Sequence, residues 1–502
     1  MTGLPAAGRT GHTVPDLRLL LPAAACWLGL LASARLPPPA AMSFGAAGGA
    51  VATGLVLRRR RPAALLCAAA LLAASAASVV CGIRAAARAD GPIPGLARSG
   101  AIAEMTVTLS GDPVRRDGVD DATGRRYTLV IAAAQVLELD SGGRQWRLRQ
   151  PVLLLAYNTG WLGLLPSQHV RTAGTLVPPR AGDTVAAVVR IRGTPRLLGR
   201  PSAVQRAAGR LRDGLRQAAA GLPAGPGALL PGLVDGDTTG LDAATVADFR
   251  RTGLTHLVAV SGTNVAIISG AVLALARRLR AGPRLSGALA ALAVVGFVVL
   301  ARPSGSVLRA AVMGGLGLAG LVLARPRPAL TGLCAAVLIL LLAEPSLAVQ
   351  AGFALSVLAT LGLLVLAPGM QRLLAVRLPR PAAAAIAVPA AAQLACAPVI
   401  AMIGGGTSLV AVPANLLAAP AVAPATVLGV LSASTAPIAP WVARCCAELA
   451  GLPCAWLLVV AHVGARVPLA NIGWPDGLCG ALLLVGCLPA LAWAVRHVIL
   501  RR

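Results

Sequence analysis

Long apolar runs set the strictest limit on what this chain can become. Along its 502 residues they recur at lengths of about 17–25, the length that carries a helix across the hydrocarbon of a bilayer. Three open the chain, at 18–36, 41–57 and 63–82. After a mixed polar stretch, nine more follow, at 254–276, 285–301, 305–324, 328–343, 347–367, 382–403, 408–432, 452–467 and 477–495. Only 13% of the residues are charged, about half the share of a soluble domain. A water-soluble fold of this size could not hide so much apolar surface. Ala, Leu, Val and Gly supply the hydrophobicity while aromatics make up 3%, and small residues let membrane helices approach closely. The sequence predicts a polytopic α-helical membrane protein of about 12 spans, some of them broken or re-entrant. A small OB-like β domain is inserted outside the membrane. Residues 1–83 hold the N-terminal helices, 84–224 the extracytoplasmic domain with its connector, and 225–502 the main bundle.

Orientation follows from the short loops that carry Arg, which stay cytoplasmic. Arg58–Arg61 separates the second and third runs. Arg277, Arg278, Arg280 and Arg284, then Arg325 and Arg327, then Arg372, Arg377 and Arg380 fall in alternate loops, as does the tail Arg496, Arg501, Arg502. Both termini are therefore expected inside and residues 84–224 outside. Arg9 and Arg18 before the first run, with Ala32-Ser33-Ala34 at its end, also fit a cleaved signal peptide; cleavage leaves the remaining topology unchanged.

Composition excludes several kinds of chemistry. The net charge is +27 and every Lys-or-Arg position is Arg. A phosphate-binding P-loop needs its Lys, so the chain is not expected to be a nucleotide-driven motor. His12, His169, His256, His462 and His497 are scattered, and the ten Cys include no CxxC pair. No metal, no cofactor and no enzymatic activity are expected, and the energy for any transport must come from a partner or a gradient.

The extracytoplasmic stretch has strand-like runs at 101–110, 127–140 and 184–192 and a helical connector at 206–220, with Gly, Asp and Pro between them. It holds 20 Arg against 10 Asp and Glu. In Arg144-Gln145-Trp146-Arg147-Leu148-Arg149, cationic and stacking groups interleave. Arg pairs with phosphate, and aromatic rings stack on bases at about 1–3 kcal/mol each. Arg144, Trp146, Arg147 and Arg149 are thus candidates for nucleic-acid contact, unless the segment is a solvated strand with its aromatic in the core.

The densest polar-in-apolar segment is Leu230–Val265. It runs through Gly232-Leu233-Val234-Asp235-Gly236-Asp237 and Asp248-Phe249-Arg250-Arg251-Thr252-Gly253 to Leu254-Thr255-His256-Leu257-Val258-Ala259-Val260-Ser261-Gly262-Thr263-Asn264-Val265. Polar groups at the mouth of an apolar run are costly unless partnered or wet, so they mark a pathway or a tight helix junction. Asp235 and Asp237 fit a turn. Ser261 with His256 fails as a hydrolytic pair, because a five-residue spacing turns the side chains roughly 140° apart.

This segment resembles the signature of the ComEC family, the inner-membrane channel proteins of natural competence. Further stretches resemble that family in order: Arg302-Pro303-Ser304 with Ser306-Val307-Leu308-Arg309-Ala310-Ala311; Glu344-Pro345-Ser346 with Gln350-Ala351-Gly352-Phe353-Ala354-Leu355-Ser356; and Gln393-Leu394-Ala395, Pro398, Val412-Pro413-Ala414-Asn415-Leu416-Leu417 and Pro420. The resemblance implies a channel importing single-stranded DNA, with a separate DNA receptor, helicase or ATPase and nuclease as partners, the lipid bilayer around it, and a possible homo-oligomer. His256, Ser261, Asn264, Arg309, Gln350, Ser356, Gln393 and Asn415 become the expected DNA pathway. Two departures matter. Asn264 stands where the family often has His, and no HxHxDH segment of the kind found in the family's metallo-β-lactamase-like domain occurs. No nuclease activity is therefore expected. A small-molecule or ion transporter is the alternative.

Overall fold

The computed structural model describes residues 17–58, 62–119, 126–180, 183–258, 260–322, 329–403, 406–468 and 470–487. It opens with α1 (Leu20–Ser33), α2 (Pro38–Arg58), α3 (Pro62–Ala89) and the short α4 (Pro92–Arg98). A β domain follows: β1 (Ile102–Leu109), β2 (Val114–Val119), β3 (Arg126–Ser141), β4 (Arg144–Ala156), β5 (His169–Val177), β6 (Ala187–Ile191) and β7 (Arg196–Leu197). The connector α5 (Ala203–Ala219) leads to α6 (Ala224–Asp235), α7 (Ala243–Arg251), α8 (Thr255–Val258) and α9 (Gly262–Arg278). The bundle continues through α10 (Pro283–Ala301), α11 (Gly305–Val322), α12 (Ala329–Ala343), α13 (Ala351–Val365), α14 (Ala367–Leu374), α15 (Arg380–Met402), α16 (Ala411–Thr435) and α17 (Pro440–Ala465). A two-residue ribbon joins β8 (Thr407–Ser408) to β9 (Asn471–Ile472).

Six of these helices, α2, α3, α10, α15, α16 and α17, are long and apolar enough to cross a membrane. The α13–α14 pair, bent by 45°, makes a seventh if counted as one broken span. The protein is therefore a multi-pass membrane protein, but the expectation of about twelve spans is corrected among the described residues. The physical reason is length. Leu20–Ser33, Gly305–Gly320, Ala329–Ala343 and Gly477–Cys487 are apolar but have 10–17 residues, and a helix rises only about 1.5 Å per residue. The run at 254–276 is interrupted: α8 is four residues, and α9 starts afresh at Gly262 and ends on Arg277 and Arg278. Arg59–Arg61, Arg325, Arg327, Arg496, Arg501 and Arg502 lie outside the described residues. Pro389, Pro398, Pro420, Pro424 and Pro453 sit inside helices, as membrane helices tolerate when neighbours satisfy the freed carbonyls.

The β domain is also corrected. An OB-like barrel comprises five strands, whereas here a seven-stranded mixed sheet runs β1-β3-β4-β6-β5-β7, with β2 paired on β3 and β1 also paired with β5. Among the described residues only β4–β6 is parallel. The added strands, β2 and β7, are Arg-, Asp- and Gly-bearing or two residues long, so apolar alternation does not betray them. Alternation does build the interior: Ala103, Met105, Val107 and Leu109 of β1 are all buried. Ile93, Leu154, Trp161 and Leu176 join them in one core.

Small residues set the spacing of the N-terminal helices. A Cβ on Gly45 of α2 would come within 2.7 Å of Val79 Cγ2 and 2.8 Å of Ser75 O on α3. A buried hydrogen bond of 2.8 Å joins Ser33 to Ser78, and Trp27 Nε1 donates to Ala348 O at 2.9 Å, tying α1 to α3 and to the turn before α13. Gly45→Leu should force α2 away from α3 and cost about 1–3 kcal/mol, read as a lower midpoint of thermal unfolding in detergent. Gly54→Leu, where nothing lies within 4 Å of the added Cβ, should leave the midpoint unchanged.

Candidate functional site

The interior polar residues gather around Gly262, where α9 begins. Ser261 is the N-cap of α9, and its Oγ donates to Asn264 Oδ1 at 3.3 Å. Asn264 is 2% exposed and its Nδ2 donates to Leu233 O of α6 at 2.8 Å. An amide at the first turn of a buried helix end is stable there because both its donor and its acceptor are used. Gly262 itself faces α11: a Cβ would sit 2.8 Å from Arg309 Nη2 and 3.1 Å from Ala310 Cβ. An added methyl here would press on the Arg309 guanidinium and on Ala310, so the glycine lets α9 and α11 approach closely.

Arg309 lies in the first turns of α11 and is 6% exposed. Its Nε and Nη2 both donate to Ser356 Oγ of α13, at 2.9 and 2.7 Å, and Nη1 contacts Met313 Sδ at 3.0 Å. Among the described residues no carboxylate pairs with it. One hydroxyl and one thioether are weak compensation for a buried cation, which ordinarily takes a charged partner.

The other expected pathway residues stand apart from this set. His256 is exposed on α8 and its Nδ1 lies 3.2 Å from Gly253 O. Gln350, also exposed, caps α13 through its backbone, accepting from Phe353 and Ala354 N–H. Gln393 is half-buried on α15, and Asn415 on α16 donates back to Ala411 O at 2.8 Å. The structure thus brings together Ser261, Asn264, Arg309 and Ser356 and leaves four residues outside.

In the β domain, β4 places its basic and aromatic groups on different faces. Trp146 and Leu148 pack against the core, while Arg147 and Arg149 point outward and are exposed. Arg147 pairs with Glu138 at 3.3 Å. Arg144 is exposed at the hairpin tip, opposite Ser141.

A second polar cluster, not singled out from the sequence, joins the β domain to the bundle. Arg302 follows α10 and forks onto Asp112 of the β1–β2 loop through Nε and Nη2, while Nη1 reaches Gln205 of α5. Its backbone has φ +69°, a conformation that persists only where surroundings over-determine it. Arg212 of α5, 5% exposed, donates to Leu300 O at 2.7 Å and Val299 O at 2.8 Å, capping α10. Asp235 ends α6; it is 5% exposed, its Oδ1 accepts from Asp237 N–H at 3.0 Å, and its Oδ2 has no partner. Arg216 pairs with Asp237 at 3.0 Å. The sequence hint was the Arg302-Pro303-Ser304 stretch and the Asp235-Gly236-Asp237 turn, but nothing local reveals that residues 112, 212, 235 and 302 converge. Among the described residues no group of three His, Cys, Asp or Glu could hold a metal ion.

The comparison with known families decides what this arrangement belongs to. The profile described as "Competence protein" matches residues 233–498, more than half of the chain. The chain belongs to the competence protein family. The matched region contains the Gly262–Arg309–Ser356 set in full. Over 136 residues the chain is 34% identical to ComE operon protein 3 of Bacillus subtilis (strain 168), covering 27% of this chain and 17% of that protein. The chain therefore aligns with about a sixth of that relative's length. No solved structure matches it.

Burial pushes the Asp235 carboxyl up to about 6, against an ordinary 3.8, although the Asp237 N–H bond pulls the other way. The folded protein thus holds this proton more tightly than the unfolded chain. The associated stability is fully present below pH 3.8 and is lost as pH rises toward about 6. Asp235→Asn keeps the Oδ1 acceptor and removes the charge. It should raise the thermal midpoint at pH 7.5, by an effect on the order of 2–3 kcal/mol, and leave it unchanged near pH 4.

Proposed function

We propose that this competence-family membrane protein is the conduit through which single-stranded DNA crosses the cell membrane during natural transformation. The observation that carries the reading is Arg309, a guanidinium buried between α9, α11 and α13 with a hydroxyl and a thioether for company. A cation left without a counter-charge in an apolar bundle is a standing site for an anion. A passing phosphate supplies the missing partner, and the Ser356 hydroxyl, which accepts from Arg309, has its own O–H to donate beside it. Because Arg309 is 6% exposed, the way past it is shut in this conformation, and α9 or α13 must shift to admit a strand.

The same reading puts residues 84–224 outside the cell, with both termini inside. Arg84 at the end of α3 pairs with Glu344 at 3.2 Å, which supports a common side for the end of α3 and the end of α12. It gives His256, Gln350, Gln393 and Asn415 places along the route rather than at its constriction. Conduction without a motor or a metal leaves unwinding, strand degradation and DNA capture to a helicase or ATPase, a nuclease and a receptor, and it allows for self-association.

Arg309→Ala and Arg309→Glu should each lower transformation frequency by about ten-fold or more, since a hydrogen bond from this cation to a passing phosphate is worth about 1.5–3 kcal/mol. The amount of protein in the membrane fraction should not change. Normal transformation by both variants would remove Arg309 from the route.

A further inference from the structure

The β domain has two grooves on either side of β1 and β5, and their charges differ. Between them the Arg171–Glu104 pair, at 2.7 Å, neutralises itself. One groove, of about 480 Å³, is bordered by Arg147 but also by Glu138 and Asp140, so beyond the shared pair it carries a net negative charge. The other, of about 1030 Å³, is bordered by Arg190, Arg192, Arg196 and Tyr157 and by no further acid. All three of these Arg are exposed, and none has an ion-pair partner among the described residues. The second groove therefore offers a polyanion three cations with no ion-pair partner among the described residues, whereas the first offers Arg147, already paired with Glu138.

The geometry of the second groove is fixed by backbone. Tyr157 N–H donates to Ile191 O at 3.2 Å, Trp161 Nε1 to Gly193 O at 3.2 Å, and Leu198 N–H to His169 O at 3.0 Å. Arg196 is in register with Arg171 across β7 and β5. Gly174 lets β5 lie close on β6: a Cβ there would come within 2.7 Å of both Arg190 O and Val189 Cγ1. Arg190 and Arg192 are two residues apart on one extended segment, hence about 6.6 Å apart along the chain, close to the spacing of successive phosphates in an extended single strand. Tyr157, 52% exposed, offers a ring beside them on which a base can stack.

We infer that the Tyr157–Arg190–Arg192–Arg196 groove binds the phosphodiester backbone of single-stranded nucleic acid, with Tyr157 stacking on a base. This deepens the conduction reading and rests on it, and it moves the docking face from Arg144–Arg149 to the β5–β6–β7 side of the domain. The exposed aromatic favours nucleic acid over the phosphates of lipid headgroups, which have no base to stack.

The test uses the full-length protein in nanodiscs of zwitterionic lipid, with a fluorescent oligo-dT probe titrated over a range of salt. The triple variant Arg190→Gln, Arg192→Gln, Arg196→Gln should bind about ten-fold more weakly at low salt. It should also flatten the plot of log affinity against log salt by about 2, because each phosphate contact on a single strand contributes about 0.7. Arg192→Gln alone should flatten it by about 0.7. Tyr157→Ala should weaken binding roughly five-fold or more with no change in slope. The triple variant Arg144→Gln, Arg147→Gln, Arg149→Gln should bind like the unaltered protein. If the first triple variant keeps full affinity and slope while the unaltered protein binds, the groove assignment falls and the conduction reading stands. If the unaltered protein binds anionic vesicles but no oligo-dT, both fall.

Discussion

Arg302 meets Asp112 and Gln205 where the β domain rests on the helices, with Arg212 and Asp235 near enough to feel their charge. The rest of the architecture hangs on this junction. Arg302 joins the β1–β2 loop to the end of α10, and Arg212 closes the same helix by taking two of its last carbonyls. The last four carbonyls of any helix lack intrahelical donors, and at a buried end they need partners from elsewhere. Here the partner is a side chain of α5, so the connector is both a link in the chain and the cap of a membrane helix. Fixing α10 in this way also fixes the turn at Arg302–Ser304 that launches α11, and with it the position of Arg309.

Below the junction, polarity is handled sparingly. Asn264 spends its amide on Leu233 O and on Ser261, so the α6–α9 contact is closed and specific. Arg309 has no such closure. A single hydroxyl receives two of its N–H groups. The contrast between a satisfied amide and an under-compensated cation within one small set is what separates a packing contact from a site with capacity to spare.

How much of this was legible in the sequence depends on whether the signal was local. Membrane character was plain from run length and charge depletion. The strands β1, β3 and β6 announced themselves by Val, Thr and Leu, and Arg309 by its position amid apolar residues. Span number was not legible, because hydropathy measures how long an apolar run is and not how much of it is one straight helix. The break before Gly262 and the shortness of α12 depend on tertiary contacts. The strand β4 misled in another way. Its Arg and Trp alternate in sequence, and alternation in a strand means opposite faces, so Trp146 went to the core while Arg147 went to solvent. The Arg190 groove was invisible because its members come from β5, β6, β7 and the end of β4, joined only by pairing. The junction of residues 112, 212, 235 and 302 spans 191 positions of sequence, beyond any local pattern.

The short helices have a consequence for the bilayer itself. α1 and α12 pack together in one core, with 14 and 15 residues. Helices of that length reach about 21–23 Å, against hydrocarbon about 30 Å thick. A short apolar helix is matched either by thinner lipid around it or by neighbours that cover its ends; here the longer α3 lies along α1, joined to it by the Ser33–Ser78 hydrogen bond.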